Sequence, residues 1–282
     1  DTGCSTLSCF GCFQLCDRPQ PGSGWRNELL VKYLIEKKNL LSIESLKKNI
    51  DYDSNSFSLY DSLNNDYVSL IAEIKDTSPS KGKLMNGKDF INLAKNYLDA
   101  NVNAISVVTE ENFFKGSLDN IINLKKLNEY DSTPVLRKDF IIDQYQIFES
   151  KFYGADAILL IASILSQKQL SDFVLLAKNI NLECLVEVHN LTELEKALAS
   201  DTKIIGINNR NLNDFSVDIN TTLNLVEKIP DHILKVSESG IFNREHISVL
   251  ENAGCNAALI GEAIITSDDP YKKIIELTND KN

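Results

Sequence analysis

Short apolar runs recur along the chain, and each is followed by a loop and then by apolar residues at helical spacing. Phe90, Leu93, Ala94 and Tyr97 show that spacing, with intervals of three and four residues. Strands that alternate regularly with helices predict a parallel sheet, because parallel neighbours need a crossover connection. The eight runs are residues 68–74, 104–108, 134–136, 157–162, 183–188, 204–207, 233–236 and 257–260.

The number of strand–helix units selects among parallel-sheet folds. Eight units suit a closed (β/α)8 TIM barrel better than an open doubly wound sheet, which usually has a glycine fingerprint after its first strand. Before the first strand, residues 27–48 have amphipathic helical spacing, and Ser42 suits the N-cap of a second helix. A polar loop, residues 51–58, follows. The sequence therefore predicts a (β/α)8 barrel with an N-terminal helical extension that caps it.

The first residues of the chain differ from the rest. Four of the six cysteines, Cys4, Cys9, Cys12 and Cys16, lie in the first 16 positions, and their spacing partly resembles an iron–sulfur ligand pattern. No histidine lies near them, and residues 19–24 have the Pro/Gly/Ser composition of a linker. We interpret residues 1–24 as a disordered leader or an expression tag without a metal, and residues 25–282 as a single catalytic domain with no fused partner.

Charge and hydropathy exclude several kinds of partner. The formal net charge is -11 and the pI is about 4.8, so neither nucleic acid nor an anionic membrane surface would attract the chain. No apolar run reaches the roughly 18 residues that span a bilayer. Cys184 and Cys255 stand alone in apolar segments, which is typical of reduced thiols. We expect a cytoplasmic protein, and the sequence is compatible with a monomer.

Charged and amide side chains lie where the predicted strands end. Glu73 and Lys75 close the first strand on the same face as Ile71, because alternate residues of a strand share a face. Burying opposite charges there costs free energy unless they meet each other, a ligand or water. Functional residues of a (β/α)8 barrel lie at the carboxyl ends of its strands. We therefore expect an active site at this mouth, to which other strands contribute Lys138, Glu187, Asn208 and Glu238.

A glycine after each of the last two strands indicates a phosphate site. Ser239-Gly240 and Gly261-Glu262 follow the seventh and eighth predicted strands, where barrel enzymes commonly bind phosphate through backbone N–H groups. Ser78 in the first loop would add a hydroxyl, and Arg210 after the sixth strand would add a cation. The expected ligand is a phosphorylated small molecule.

Aromatic residues near the same strand ends predict an apolar pocket. Phe114 lies in the second loop and Phe140 follows the third strand, where they would form the wall for a ring. His189 closes the fifth strand just before Asn190, which suits a helix N-cap. We interpret His189 as a structural residue and leave it out of the predicted site.

Together these motifs resemble indole-3-glycerol-phosphate synthase, a (β/α)8 enzyme family of tryptophan biosynthesis. The resemblance covers roughly residues 28–277, with the motifs in register. The matching segments are IAEIK at 71–75, SPSKG at 78–82, TE at 109–110, FKGSL at 114–118, PVLRKDFI at 134–141, GADAILLI at 154–161, LVEVH at 185–189, GINNRNL at 206–212 and VSESGI at 236–241.

The resemblance implies a reaction and a role for each strand-end residue. The substrate would be 1-(2-carboxyphenylamino)-1-deoxyribulose 5-phosphate, whose aryl carbon attacks the ribulose carbonyl with loss of carbon dioxide and then water. Lys138 would be the general acid at the carbonyl oxygen, and Glu187 would take or relay the proton for dehydration. Glu73 and Lys75 would complete the charged site. Two further residues, Asn208 and Glu238, would position substrate hydroxyls and the lysines.

The resemblance also implies the binding residues. The ring pocket would be lined by Phe114, Phe140, Leu159 and Leu160. No metal or cofactor would be needed, because release of carbon dioxide and formation of an aromatic indole drive the reaction. The phosphate end would comprise Ser78, Arg210, Ser239, Gly240, Gly261 and Glu262, the last through its backbone.

Two other functions of a barrel of this kind fit these residues less well. A phosphosugar isomerase barrel of the same pathway would want a Cys/Asp acid–base pair at the ends of strands one and six, where Glu73 and Asn208 stand instead. A barrel that keeps the phosphate site but has lost catalysis is disfavoured by the presence of Lys138, Glu187 and Glu73. The lyase reaction is the main prediction.

Overall fold

Eight parallel strands close into a barrel in the computed structural model, which describes residues 24–52, 56–78, 81–85, 87–127, 132–211 and 214–278. Each strand pairs with its sequence neighbour, and β8 pairs with β1 to close the ring. The predicted (β/α)8 fold is confirmed. The strands are β1 Ser69–Ile74, β2 Ala104–Val108, β3 Val135–Lys138, β4 Ala157–Ile161, β5 Glu183–Val188, β6 Ile204–Asn208, β7 Leu234–Glu238 and β8 Ala257–Ile260.

Helices connect consecutive strands and cover the outside of the barrel. Several begin at a side chain that accepts a hydrogen bond from the first turn, as Asp89, Ser166 and Asn190 do. The helices are α1 Gly24–Leu40, α2 Ile43–Asn49, α3 Leu59–Leu63, α4 Phe90–Asp99, α5 Asp119–Leu127, α6 Gln144–Phe152, α7 Gln167–Asn179, α8 Leu191–Leu198, α9 Asn220–Val226, α10 Arg244–Asn252, α11 Glu262–Ile265 and α12 Pro270–Thr278.

The apolar core has two layers, because successive side chains of a strand point to opposite faces. Ile71, Leu136 and Leu185 lie in the cluster that fills the barrel, as their spacing predicts. Leu159 lies there too, but its neighbour Leu160 packs in the outer cluster between strands and helices. The prediction that Leu160 lines the ring pocket is therefore wrong, since two adjacent strand residues do not face the same side.

The N-terminal helices take different positions. The Oγ of Ser42 accepts a hydrogen bond from the backbone N of Ser45 at 3.2 Å, which confirms the predicted cap of α2. The helix that enters the barrel is α3, which directly follows the predicted polar loop; its Leu59 and Leu63 join the interior cluster. By contrast, Leu46 of α2 joins the outer layer. Among the described helices before β1, α3 thus packs in the barrel interior and α2 packs in the outer layer.

Two further predictions concern the ends and the surroundings of the chain. The interpretation of the four N-terminal cysteines and of the leader lies outside the described residues, which begin at Gly24. Within the ranges that the structure describes, every helix is too short or too polar to cross a membrane.

Candidate active site

A buried lysine stands between two carboxylates at the carboxyl end of the barrel. Lys138 Nζ lies 3.2 Å from Oε2 of Glu187 and 3.4 Å from Oε2 of Glu238. The side chain of Lys138 is 18% exposed, whereas both glutamates are almost wholly buried. Three non-adjacent strands, β3, β5 and β7, thus bring together three residues that sequence alternation assigned to one face.

A second ion pair lies at the end of β1. Lys75 Nζ donates a hydrogen bond to Oε1 of Glu73, and the Glu73 side chain is 5% exposed. A Cβ on Gly261 would lie only 2.7 Å from that same oxygen, so a side chain where β8 ends would displace the Glu73 carboxylate. The two charges found on the barrel face of β1 do meet each other, and Glu73 lies deeper than Lys75.

The surrounding charges set the protonation of Lys138 and Glu187. Burial alone lowers the pKa of Lys138, but the carboxylates of Glu187, Glu238 and Glu73 raise it far above its ordinary value. Burial raises the pKa of Glu187, but the charges of Lys138 and His189 and a hydrogen bond from Asn208 lower it by more. Lys138 is therefore an ammonium and Glu187 a carboxylate.

Glu238 differs from its neighbours because it carries a proton near neutrality. Burial raises its pKa to about 8; the charges of Glu187 and Glu73 add to this rise, while Lys138 opposes it. Oε1 of Glu238 has no hydrogen-bond partner among the described atoms. It lies over Gly206 of β6, where a Cβ would approach it to 2.2 Å. The site thus holds two cations, two carboxylates and one neutral carboxyl group.

Asn208 and Asn209 at the end of β6 face different environments. Asn208 donates to Glu187, and its Oδ1 accepts a hydrogen bond from the backbone N of Arg210 at 3.0 Å. Asn209 is buried and bonds to Ser237 Oγ at 3.0 Å and to Thr222 Oγ1 at 2.8 Å. The structure therefore places Asn208 in the charged cluster, and Asn209 ties the loop after β6 to β7.

The predicted phosphate residues lie on neighbouring loops after β6, β7 and β8. Ser239 and Gly240 both have positive φ, 68° and 78°, and a Cβ on Gly240 would meet Val217 Cγ1 at 2.4 Å. Asn209 Nδ2 donates to the backbone O of Ser239 at 3.0 Å, so the loops after β6 and β7 contact each other. The backbone here turns tightly enough that a side chain at position 240 would be both strained and obstructed.

The first loop reaches the same region through an ion pair. Ser78 Oγ accepts a hydrogen bond from the backbone N of Lys81 at 3.2 Å, which leaves its own hydroxyl proton available. Lys81 Nζ contacts Oε1 of Glu262 at the start of α11. Sequence reasoning missed Lys81, because its partner is 181 positions away and no local pattern signals it.

The aromatic pair lies on the loops after β2 and β3. The ring centroids of Phe114 and Phe140 are 6.3 Å apart, and their planes are inclined by 48°. Glu110 holds the first of these loops, because its carboxylate accepts hydrogen bonds from the backbone N of Phe113 at 2.6 Å and of Phe114 at 3.0 Å. The predicted ring wall is thus assembled from two loops, with Leu159 among the apolar residues that fill the barrel.

A cavity of about 990 Å³ opens at the opposite end of the barrel. Glu183, Asp156 and Thr202, near the amino ends of β5, β4 and β6, line it. None of the predicted site residues borders this cavity. This cavity and the predicted site are therefore at opposite ends of the barrel.

The fold and the charged cluster define a (β/α)8 barrel with acid–base side chains gathered at its mouth. A family model, indole-3-glycerol phosphate synthase, matches residues 30–277. The chain belongs to the indole-3-glycerol phosphate synthase family, which makes it a carboxy-lyase of tryptophan biosynthesis and confirms the resemblance of its motifs.

Relatives of the same name match most of the chain. The indole-3-glycerol phosphate synthase of Thermoanaerobacter sp. is 45% identical over 251 residues, which are 88% of this chain and 94% of that protein. The protein of that name from Acetivibrio thermocellus is 47% identical over 213 residues, 76% of this chain and 81% of that protein. The match therefore extends over almost the whole length of the Thermoanaerobacter protein.

Solved structures support the fold alone. A 3-hexulose-6-phosphate synthase superposes with a TM-score of 0.61 at 19% identity, covering 75% of this chain and 99% of that one. A thiamine phosphate pyrophosphorylase from Pyrococcus furiosus superposes with a TM-score of 0.59 at 16% identity, covering 77% and 96%. At such identities the likeness establishes the barrel and nothing about the substrate.

Proposed function

We propose that Lys138 is the acid of an indole-3-glycerol-phosphate synthase reaction in this chain. The substrate is 1-(2-carboxyphenylamino)-1-deoxyribulose 5-phosphate, and the product is indole-3-glycerol phosphate. The proposal rests on one observation: Nζ of Lys138 lies within 3.4 Å of two buried glutamates at the mouth of the barrel. An ammonium suits this position because negative charge develops on the carbonyl oxygen during attack.

The first half-reaction forms the carbon–carbon bond. The aryl carbon that bears the carboxylate attacks the ribulose carbonyl carbon, and the carbonyl oxygen takes a proton from Lys138. The carboxylate then leaves as carbon dioxide, and its bonding electrons restore the aromatic ring. The proton leaves Lys138 only when the oxygen has become basic, because the neighbouring carboxylates favour the ammonium in the free enzyme.

The second half-reaction removes water, and other residues of the cluster act in it. Glu187 takes or relays the proton that is lost, as the carboxylate with a lowered pKa. Lys75, held by Glu73, supplies a second ammonium beside the departing hydroxyl. Asn208 and Glu238 position the substrate hydroxyls and Lys138. The family's chemistry needs no cofactor for these steps.

The two ends of the substrate are assigned to separate parts of the mouth. The anthranilate ring lies against Phe114, Phe140 and Leu159, which are apolar and lie close to the end of β3 and β4. The phosphate lies at the other side, where the contact of Val217 with Gly240 brings the loops together. Its proposed binding residues are Ser78, Arg210, Ser239, Gly240, Gly261 and Glu262.

The wider setting of the protein is part of the proposal. Residues 25–282 act as one catalytic domain in the cytoplasm, which fits the two free thiols of Cys184 and Cys255. The proposed oligomeric state is a monomer. The partner is a phosphorylated small molecule, and an excess of negative charge makes nucleic acid an unfavourable one.

The test is turnover by K138M, followed by the fluorescence of the indole product. We expect the wild type to form indole-3-glycerol phosphate and K138M to lose at least about 1,000-fold in kcat, within the range for a general acid. K138M should still bind the unreacted substrate, with a Kd within about tenfold of the wild-type KM, because the phosphate and ring contacts remain.

The matched control is K178M, which removes an exposed lysine at the other end of the barrel. Its kcat should equal that of the wild type. Substantial turnover by K138M would contradict the role of Lys138, and a wild type that forms no indole product would contradict the proposed reaction as a whole.

A further inference from the structure

His189 lies between two carboxylates at the end of β5. Its Nδ1 is 3.0 Å from Oε2 of Glu193, and its Nε2 is 3.5 Å from Oε1 of Glu187. The side chain of His189 is only 13% exposed, and Nε2 has no hydrogen-bond partner among the described atoms. A ring nitrogen that is buried, lacks a hydrogen bond and faces the proposed acid–base residue is not explained by packing alone.

Glu193 holds one side of the imidazole ring in place. Its Oε2 also accepts the backbone N–H of His189 at 2.8 Å, and its Oε1 accepts Nδ2 of Asn190 at 2.8 Å. Asn190 caps the start of α8 by accepting the N–H of Glu193, so the two residues fix each other. The Nδ1 atom of His189 is therefore a donor to Glu193, and Nε2 is directed towards Glu187.

The charges around His189 favour its protonated form. Burial lowers the pKa of His189, but the hydrogen bond to Glu193 and the charges of Glu187 and Glu193 more than offset that effect. The groups that face it are Glu187 on its own strand, Glu193 on α8, and, behind Glu187, Lys138 on β3 and Glu238 on β7. As an imidazolium, His189 presents an N–H to a carboxylate on each side.

We propose that His189, held by Glu193, is a positioning residue that fixes the carboxylate of Glu187 opposite Lys138. Each oxygen of Glu187 then has its own cation, with Lys138 at Oε2 and His189 at Oε1. Two contacts fix the plane of the carboxylate, where one would leave it free to turn. Loss of the His189 proton would point a lone pair at Oε1 and release Glu187. This inference rests on the proposed role of Glu187.

The first test compares kcat as a function of pH in the wild type, H189A, H189Q and E193Q. H189A should lose about tenfold in kcat with little change in KM, because Glu187 is less well oriented. Glutamine can place an N–H near the position of Nε2, so H189Q should regain most of the loss. H189Q should also lack the decrease of kcat at high pH that the wild type shows as His189 deprotonates.

E193Q separates positioning from folding. The variant keeps the ring but removes one negative charge, so the pKa of His189 should fall and the decline of kcat should move to lower pH. The control is H232Q, which changes an exposed histidine just before β7, at the opposite end of the barrel from the site. H232Q should follow the wild-type profile, and unfolding midpoints of all variants should confirm that each one is folded.

The second test needs no turnover. The chain has three histidines, so the ring signals in an NMR titration can be assigned with H189Q and H232Q. His189 should titrate above the usual value of about 6.5, and both E193Q and E187Q should shift its titration to lower pH. A titration unaffected by either variant would overturn the proposed contacts.

The outcomes distinguish this inference from the proposed function. A wild type without indole formation contradicts the function and, with it, the positioning role. If the wild type is active but the kcat profiles of H189A, H189Q and E193Q coincide with it, the positioning role alone is wrong.

Discussion

Arg137 and Lys138 are adjacent cations on one strand, but they have opposite environments. Arg137 faces outward, is 1% exposed and contacts Asp139 Oδ2 at 2.9 Å and Glu149 Oε2 at 3.0 Å. It also bonds to Ser150 Oγ at 3.0 Å. Lys138 faces inward, is partly open to the mouth and stands beside Glu238, one oxygen of which has no hydrogen-bond partner among the described atoms.

The difference between these two clusters separates a structural role from a chemical one. The guanidinium of Arg137 has its donors used, and it ties the loops after β2 and β3 together because Thr109 and Asp139 share the network. Such a saturated group has no capacity for a ligand. In the Lys138 cluster the lysine is 18% exposed, so a substrate can reach its ammonium group from the mouth.

Removing Arg137 is the most severe way to test this contrast. R137M leaves Asp139 and Glu149 buried without their cation, so the free energy of unfolding should fall by about 3–5 kcal/mol. K138M should lose less of the free energy of unfolding. Glu238 carries its own proton, and Glu187 keeps its hydrogen bond from Asn208 and the nearby charge of His189. Urea unfolding of both variants and the wild type measures these losses.

Activity should rank the two variants in the reverse order. At a temperature where R137M is folded, its kcat should exceed that of K138M by at least about tenfold. The contrast between the clusters would be wrong if R137M were as inactive as K138M while remaining as stable as the wild type.

Gly206 offers a smaller and more local perturbation of the Lys138 cluster. In G206A the new Cβ would occupy the space of Oε1 of Glu238, since the two would be 2.2 Å apart. The glutamate side chain can move, but only away from its position beside Lys138. We therefore expect kcat to fall by about 10- to 100-fold while the stability changes by no more than about 1–2 kcal/mol.

A double-mutant cycle shows whether the effect of G206A acts through Glu238. In an E238A background the colliding oxygen is gone, so adding G206A should change kcat by less than about twofold. An equal loss in both backgrounds would mean that the methyl group disturbs β6 itself.

These residues also show how far a sequence can be interpreted. Period-two alternation predicted the inward positions of Glu73, Lys138, Glu187 and Glu238, because their strands are regular and each follows an apolar run. The same rule contradicts a pocket role for Leu160, which only the resemblance suggested, since Leu159 and Leu160 are adjacent and have opposite faces.

The missed features depend on contacts between distant segments. The need for glycine at position 206 arises because Asn208 is in register with Glu238, which brings Gly206 beneath that side chain. Sequence patterns within one strand contain no such register. Helix α3 was missed because it has five residues, too few for a helical period to be recognised.

Glu238 provides the finest test, because it alone in the cluster is neutral near pH 7. Its pKa is about 8 in the folded chain and about 4.5 in the unfolded one. Between these values the folded state holds a proton that the unfolded state has released, so stability falls as pH rises and levels off above about 8. E238Q cannot release a proton and should lack this slope.

Urea unfolding between pH 5 and 8 measures the slope as a difference between wild type and E238Q. The stability of the wild type relative to E238Q should decrease with pH, by on the order of 1 kcal/mol per pH unit. E227Q changes an exposed glutamate that follows α9, and its free energy of unfolding should depend on pH as that of the wild type does. If the free energies of unfolding of the wild type and E238Q show the same pH dependence, Glu238 is ionised throughout. The cluster around Lys138 would then hold three carboxylates against two ammonium groups.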